Sequence, residues 1–126
     1  MNIKNGKYEE NGDIVYYLNN KIHRDNDLPA ITRKDGSLEW WFNGLPHREN
    51  NPADIRKDGS KYWYLNGQKH RIGGPAVEKS DGTKEWWIDG KQYSEEDFNH
   101  IIEKKNLNKK LKVSLDIKPI IKKTKI

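Results

Sequence analysis

A turn-forming dipeptide returns at a nearly fixed interval along this chain. Asn11-Gly12, Asp35-Gly36, Asp58-Gly59 and Asp81-Gly82 stand 24, 23 and 23 residues apart. Asn19-Asn20, Asn43-Gly44, Asn66-Gly67 and Asp89-Gly90 keep the same spacings, and Pro29-Ala30, Pro52-Ala53 and Pro75-Ala76 are 23 apart. Self-similarity at such a period marks a repeat architecture. The unit runs Pro-Ala, Asp-Gly, two aromatics, one apolar residue, Asn-Gly, His-Arg. Three full copies follow an N-terminal half copy.

Each unit reads as a β-hairpin. Asp-Gly and Asn-Gly supply the positive φ angles of tight turns, and the flanking segments are rich in aromatic and β-branched residues. Pro at the start of the unit suits a strand entry, not a strand centre. Consecutive hairpins predict a mainly-β antiparallel meander of about four repeats over residues 1–93. Hydrophobic residues are 33% of the chain, charged residues 34%, and mean hydropathy is −1.15, so Trp and Tyr carry much of the buried area.

Period-two alternation divides each strand into two faces. Tyr16 and Leu18, Trp40 and Phe42, Trp63 and Leu65, and Trp86 and Ile88 share a face expected to be buried. The other face carries Tyr17, Trp41, Tyr64 and Trp87 among Glu39, Glu85 and Asn residues. A two-residue Asp-Gly turn pairs Ile31 with Trp40 and Val77 with Trp86, but it also sets Asp54 against Trp63 on the buried face. Either a bulge shifts that hairpin or its first strand is too short to reach the core.

The repeat breaks after Gly90. Ser94 with Asp97 three residues on is a capping-box-like start, and Glu95-Glu96-Asp97 suits the helix dipole. Phe98, Ile101 and Ile102 at helical spacing predict a capping helix over about 95–105. Leu111, Val113, Leu115 and Ile117 alternate with Lys112, Ser114, Asp116 and Lys118 and predict a final amphipathic strand over about 111–117, ended by Pro119. Residues 94–118 thus form a cap and 119–126 a basic tail. Residues 103–126 hold nine Lys against Glu103 and Asp116, whereas residues 1–102 hold 15 Lys/Arg and 17 Asp/Glu. The basic character is C-terminal.

The combination of Trp-Tyr-Leu-Asn-Gly, His-Arg and Pro-Ala over roughly residues 5–93 resembles the short β-hairpin repeats of MORN and YwqK-type proteins, in a variant common in large DNA viruses, phages and bacteria. The resemblance implies a binding scaffold, with a viral or phage accessory role against a host or defence protein, or an antitoxin role. His-Arg, Pro-Ala and Trp-Trp depart from the MORN pattern and argue against its lipid role.

Three groups of residues are candidates for function. The pairs His23-Arg24, His47-Arg48 and His70-Arg71 form a ladder able to hold phosphate or carboxylate groups or a partner, since Arg binds both bidentately; alternatively each pair holds its own turn. Tyr17, Trp41, Tyr64 and Trp87 form either a partner-binding stripe or a second core covered by residues 95–117. Their acidic neighbours favour a protein partner over nucleic acid. Lys109, Lys110, Lys112, Lys122, Lys123 and Lys125 offer a non-specific field for nucleic acid, or simply solubility. The chain has no Cys, hence no thiol nucleophile or thiolate metal site. Repeat-related His residues about 10 Å apart, at roughly 4.8 Å per strand, cannot share one metal ion. No phosphate-cradling loop, nucleophile elbow or paired-carboxylate motif is present. The expectation is a non-catalytic, cofactor-free cytoplasmic protein without a membrane span, acting by protein binding; the alternatives are a nucleic-acid-associated protein acting through the Lys-rich C-terminal segment, and an antitoxin-like protein or enzyme using the His-Arg pairs.

Overall fold

The structure is a computed structural model that describes residues 2–124, with side chains described to residue 115. The half copy gives β1 (Gly6–Glu10), β2 (Asp13–Leu18) and β3 (Lys21–Ile22). The first full copy gives β4 (Ile31–Thr32), β5 (Leu38–Glu39), β6 (Trp41–Phe42) and β7 (Leu45–Pro46). The second gives β8 (Asp54–Ile55), β9 (Lys61–Tyr62), β10 (Tyr64–Leu65) and β11 (Gln68–Lys69). The third gives β12 (Val77–Glu78), β13 (Lys84–Ile88) and β14 (Lys91–Tyr93), and a single helix α1 (Glu95–Thr124) follows. The strands run as an antiparallel meander, β1-β2-β4-β5-β8-β9-β12-β13-β14, with β3 on β2. The pairs β6-β7 and β10-β11 stand off this sheet.

The first two full copies therefore hold two hairpins each, with the first aromatic residue, Trp40 or Trp63, as the corner between them; β13 runs unbroken through Trp86. Trp40 lies between β5 and β6; its N–H donates to the Ala53 carbonyl (2.7 Å), while its own carbonyl accepts from His47 N–H (3.0 Å). Trp63 repeats this with Ala76 and His70, and Tyr16 with Ala30 and His23. The Asn-Gly hairpins then stack on one another: Gly44 N–H donates to Ile22 C=O, Gly67 to Pro46 and Gly90 to Lys69. Positive φ at Asn43 (49°) and Gly44 (81°) is what the two-residue turn demands.

The Asp-Gly turns differ from the expected two-residue type. Arg33 N–H bonds Ser37 C=O (2.8 Å) and Gly36 N–H bonds Arg33 C=O (2.9 Å), a turn closed by Gly36 at φ 95°. The Asp35 carboxylate accepts from Ser37 N–H, as Asp58 does from Ser60 and Asp81 from Thr83. The loop is one residue longer than a two-residue turn and shifts every pairing by one. Ile31 faces Glu39, not Trp40, and Val77 faces Glu85, not Trp86. Asp54 faces Tyr62, not Trp63. The misfit at Asp54 thus arises from a loop that all three units share.

The core sits at the corners. Ala30, Ala53 and Ala76 are fully buried and Trp40 and Trp63 nearly so, joined by Val15, Ile31, Val77 and Ile88. The shared-face expectation fails at Leu18 and Phe42, which are 42% and 45% exposed. At these two positions the side chain lies outside the packed turn, whereas Ile88, at the same place in the third copy, is buried.

The C-terminal segment also departs from expectation. Ser94 caps α1, its Oγ accepting from Asp97 N–H at 3.1 Å. The helix runs past 105 to Thr124, through the residues expected as a strand (111–117) and past Pro119. An isolated strand lacks a ladder partner, whereas a helix satisfies its backbone within itself. Leu107, Leu111, Val113 and Leu115 are all more than half exposed; the Ile117 side chain lies outside the described ones. The chain divides into two compact units, Met1–Tyr93 and Ser94–Ile126. Among the described residues, no helix is long and apolar enough to cross a membrane.

Candidate functional site

The His-Arg pairs are first of all structural. The guanidinium of Arg24 stacks on Tyr16 (3.8 Å), that of Arg48 on Trp40 (3.8 Å) and that of Arg71 on Trp63 (3.9 Å). Each then donates through Nη1 to the carbonyl of the next proline, Pro29, Pro52 or Pro75. Each histidine accepts through Nδ1 from the backbone of the following turn: His23 from Asn43, His47 from Asn66, His70 from Asp89. Bare Nδ1 places the His23 proton on Nε2, which donates to Asp25 (2.8 Å). The repeated residues are thus the joints of the array.

These joints also wall two cavities. The first, about 290 Å³, is lined by Arg24, Asp25, Asp27, Trp40, Phe42 and Arg48 among others. The second, about 440 Å³, is lined by Arg48, Glu49, Trp63, Leu65, His70 and Arg71 among others. Trp40 corresponds to Trp63, Phe42 to Leu65 and Arg48 to Arg71, so the cavities are one site repeated, and Arg48 and Glu49 belong to both. The walls combine ring faces, exposed apolar side chains and charged rims. In the first cavity Asp27 takes the Arg48 fork, Oδ1 to Nε at 2.7 Å and Oδ2 to Nη2 at 3.2 Å. The Arg48 hydrogen bond holds the Asp27 carboxyl below its ordinary range.

The second aromatic ladder is half-buried, and its Trp41 also lines the first cavity beside Trp40 and Phe42. Tyr17 donates its hydroxyl to Glu10, Trp41 its indole N–H to Glu39 (3.0 Å) and Trp87 its own to Glu85 (2.8 Å). The carboxylates on this face serve as acceptors for the rings. Trp41 and Tyr64 help line a smaller cavity, about 200 Å³, with Glu39, Asp54 and Arg56. Asp54 bonds Arg56 through Oδ2 (2.7 Å), but its buried Oδ1 has no partner, and burial pushes the carboxyl up. Burial likewise raises the Tyr64 phenol.

Lys109, Lys110 and Lys112 are exposed on α1; the side chains of Lys122 and Lys123, and Lys125 altogether, lie outside the described ones. Among the described residues no three His, Cys, Asp or Glu side chains gather as metal ligands would. Sequence reasoning placed Phe42 and Leu65 on the buried face and missed them as cavity walls; it read Asp27 and Glu49 only as acids able to pair with the His-Arg residues, and Asp27 does pair with Arg48. One signal marked the Asp27 loop: the first repeat interval is 24 rather than 23, and its extra residue falls there.

Fold and site together define a β-hairpin repeat protein with a tandem groove. No protein-family model, curated protein or solved structure matches the chain.

Proposed function

We propose that the chain is a non-catalytic scaffold whose tandem groove holds an extended segment of a partner protein. The observation that carries this reading is the repetition of one cavity in register with the fold, with Arg48 and Glu49 common to both. Successive units lie two strands apart, roughly 10 Å at ~4.8 Å per strand. A polyproline-type chain advances ~9.3 Å in three residues, so side chains at i and i+3 reach successive cavities. Aromatic walls beside exposed apolar residues suit this mode of peptide recognition. A viral or phage accessory protein engaging a host or defence protein fits such a scaffold, on the resemblance alone.

Display of random linear peptides against the full chain tests the reading. Enriched peptides should carry anchors at i and i+3 and lose binding to Phe42→Ser and Leu65→Ser, both surface changes at the cavity walls. Enrichment without that spacing, or binding that both variants leave intact, would refute it.

A further inference from the structure

The two cavities differ at one decisive place. In the first, the Arg48 fork is closed by the Asp27 carboxylate. The loop that supplies Asp27 is Asp25-Asn26-Asp27-Leu28; its counterpart before the second cavity is Glu49-Asn50-Asn51, one residue shorter, with neutral Asn where Asp27 would stand. Arg71 donates only through Nη1, to Pro75 (3.0 Å) and at 3.4 Å to Glu78; among the described residues its Nε and Nη2 have no partner. The guanidinium is nevertheless fixed. Trp63 lies against one side at 3.9 Å. Gly74 leaves room beside it, where a Cβ would come within 3.2 Å of Cζ.

We propose that the second cavity is a carboxylate site, in which the Arg71 fork takes an Asp, Glu or C-terminal carboxylate of the bound chain as the Arg48 fork takes Asp27. The proposal rests on the groove reading above and adds the chemistry of one anchor. A guanidinium held by stacking and a backbone bond gives up little freedom on binding, so a planar bidentate acceptor gains the most from it. The groups that face it set the limits: Glu49 at the cavity rim and Glu78 on the Nη1 edge repel an anion, while Arg48 is already neutralised by Asp27. One fork between two carboxylates suits a monoanion better than a phosphate dianion. Arg24, stacked on Tyr16, lines the first cavity, which Asp25 and Asp27 make acidic.

The test is an NMR titration of the ¹⁵N-labelled full chain, watching the Arg71 Nε–H and the Trp63 indole. The probes are the α-amide of N-acetyl-glutamate, the neutral N-acetyl-glutamine amide, and inorganic phosphate. The acid should give saturable shifts and the neutral amide none. Arg71→Lys keeps the charge but loses the fork, and should weaken the acid by about tenfold, the worth of one charged hydrogen bond. Glu49→Gln should tighten it. Asp27→Asn should open an equivalent second site at Arg48, a gain that no folding defect can imitate. Equal responses to acid and amide, tighter binding of phosphate than of the acid, or no new site in Asp27→Asn would overturn the proposal. If the groove still selects peptides while the acid gives no response, the carboxylate assignment falls and the groove stands. If the acid binds but no peptide does, the groove reading falls instead.

Discussion

Asp54 shows how one residue can register a rule the rest of the sheet obeys. It follows Ala53, which is fully buried, and its pairing opposite Glu39 and Tyr62 leaves Oδ1 without a hydrogen bond. Burial raises its pKa from 3.8. The sign follows directly: a carboxyl whose folded pKa is raised contributes stability below its unfolded value and loses that contribution as pH rises through the folded value. Asp54→Asn should therefore match the parent near pH 3.8 and exceed it at neutral pH by about 1–2 kcal/mol, the cost of one unsatisfied buried group; urea titrations at both pH values measure this. Ala53→Leu should cost about 1–3 kcal/mol by overpacking, seen as a lower urea midpoint. Sequence exposed the conflict at Asp54, since a carboxylate at an apolar position is visible in the letters. It could not show that the His-Arg pairs bond through Nδ1 and Nη1, because spacing identifies which residues recur and not which atoms meet.

At the level of elements, the hairpins were legible and their register was not. Asp-Gly announces a turn, but the loop length depends on whether Arg33 or the residue after it makes the closing bond, and Ser37, nearly inaccessible, helps decide it. Ser37 Oγ accepts from Lys57 N–H at 2.9 Å, and Ser60 from Ser80 in the next unit. Ser60→Ala should cost about 1 kcal/mol, read by thermal melting, because the Ser80 N–H loses the buried Ser60 Oγ as its acceptor. At Gly36 a Cβ would meet nothing within 4 Å, so Gly36→Ala isolates the cost of φ 95°. That cost should be about 1 kcal/mol in the same assay. The helix start was equally legible in Ser94 and Asp97. Its extent was not: Leu111, Val113 and Leu115 alternate as in a strand, while Leu107, Leu111 and Leu115 also recur every fourth residue as in a helix. Periodicity alone cannot separate such short patterns.

At the level of the whole molecule, the repeat unit is legible and the groove emerges only when units are stacked. Arg48 lines one cavity with Trp40 and another with Trp63, so each cavity draws on more than one hairpin. The array is held by nearest-neighbour contacts, as repeat proteins are. On α1, Leu107, Leu111, Val113 and Leu115 are all more than half exposed. Deleting residues 108–126 should shift array stability by less than about 0.5 kcal/mol, measured by the Trp fluorescence melt, as surface changes generally do. Nucleic-acid retention carried by the Lys-rich segment would be lost in the same variant.

The corner at each first aromatic has a further consequence, for how such a gene can change. Trp40 donates its N–H to Ala53 of the next copy, and Trp63 to Ala76, through the same atoms. Excising or duplicating the stretch from Pro52 to Gly74 would rejoin chemically identical seams, so unequal recombination could lengthen or shorten the array in a single event. Each such event would add or remove one cavity, making the reach of the groove, counted in partner side chains, a quantity that evolves by whole numbers.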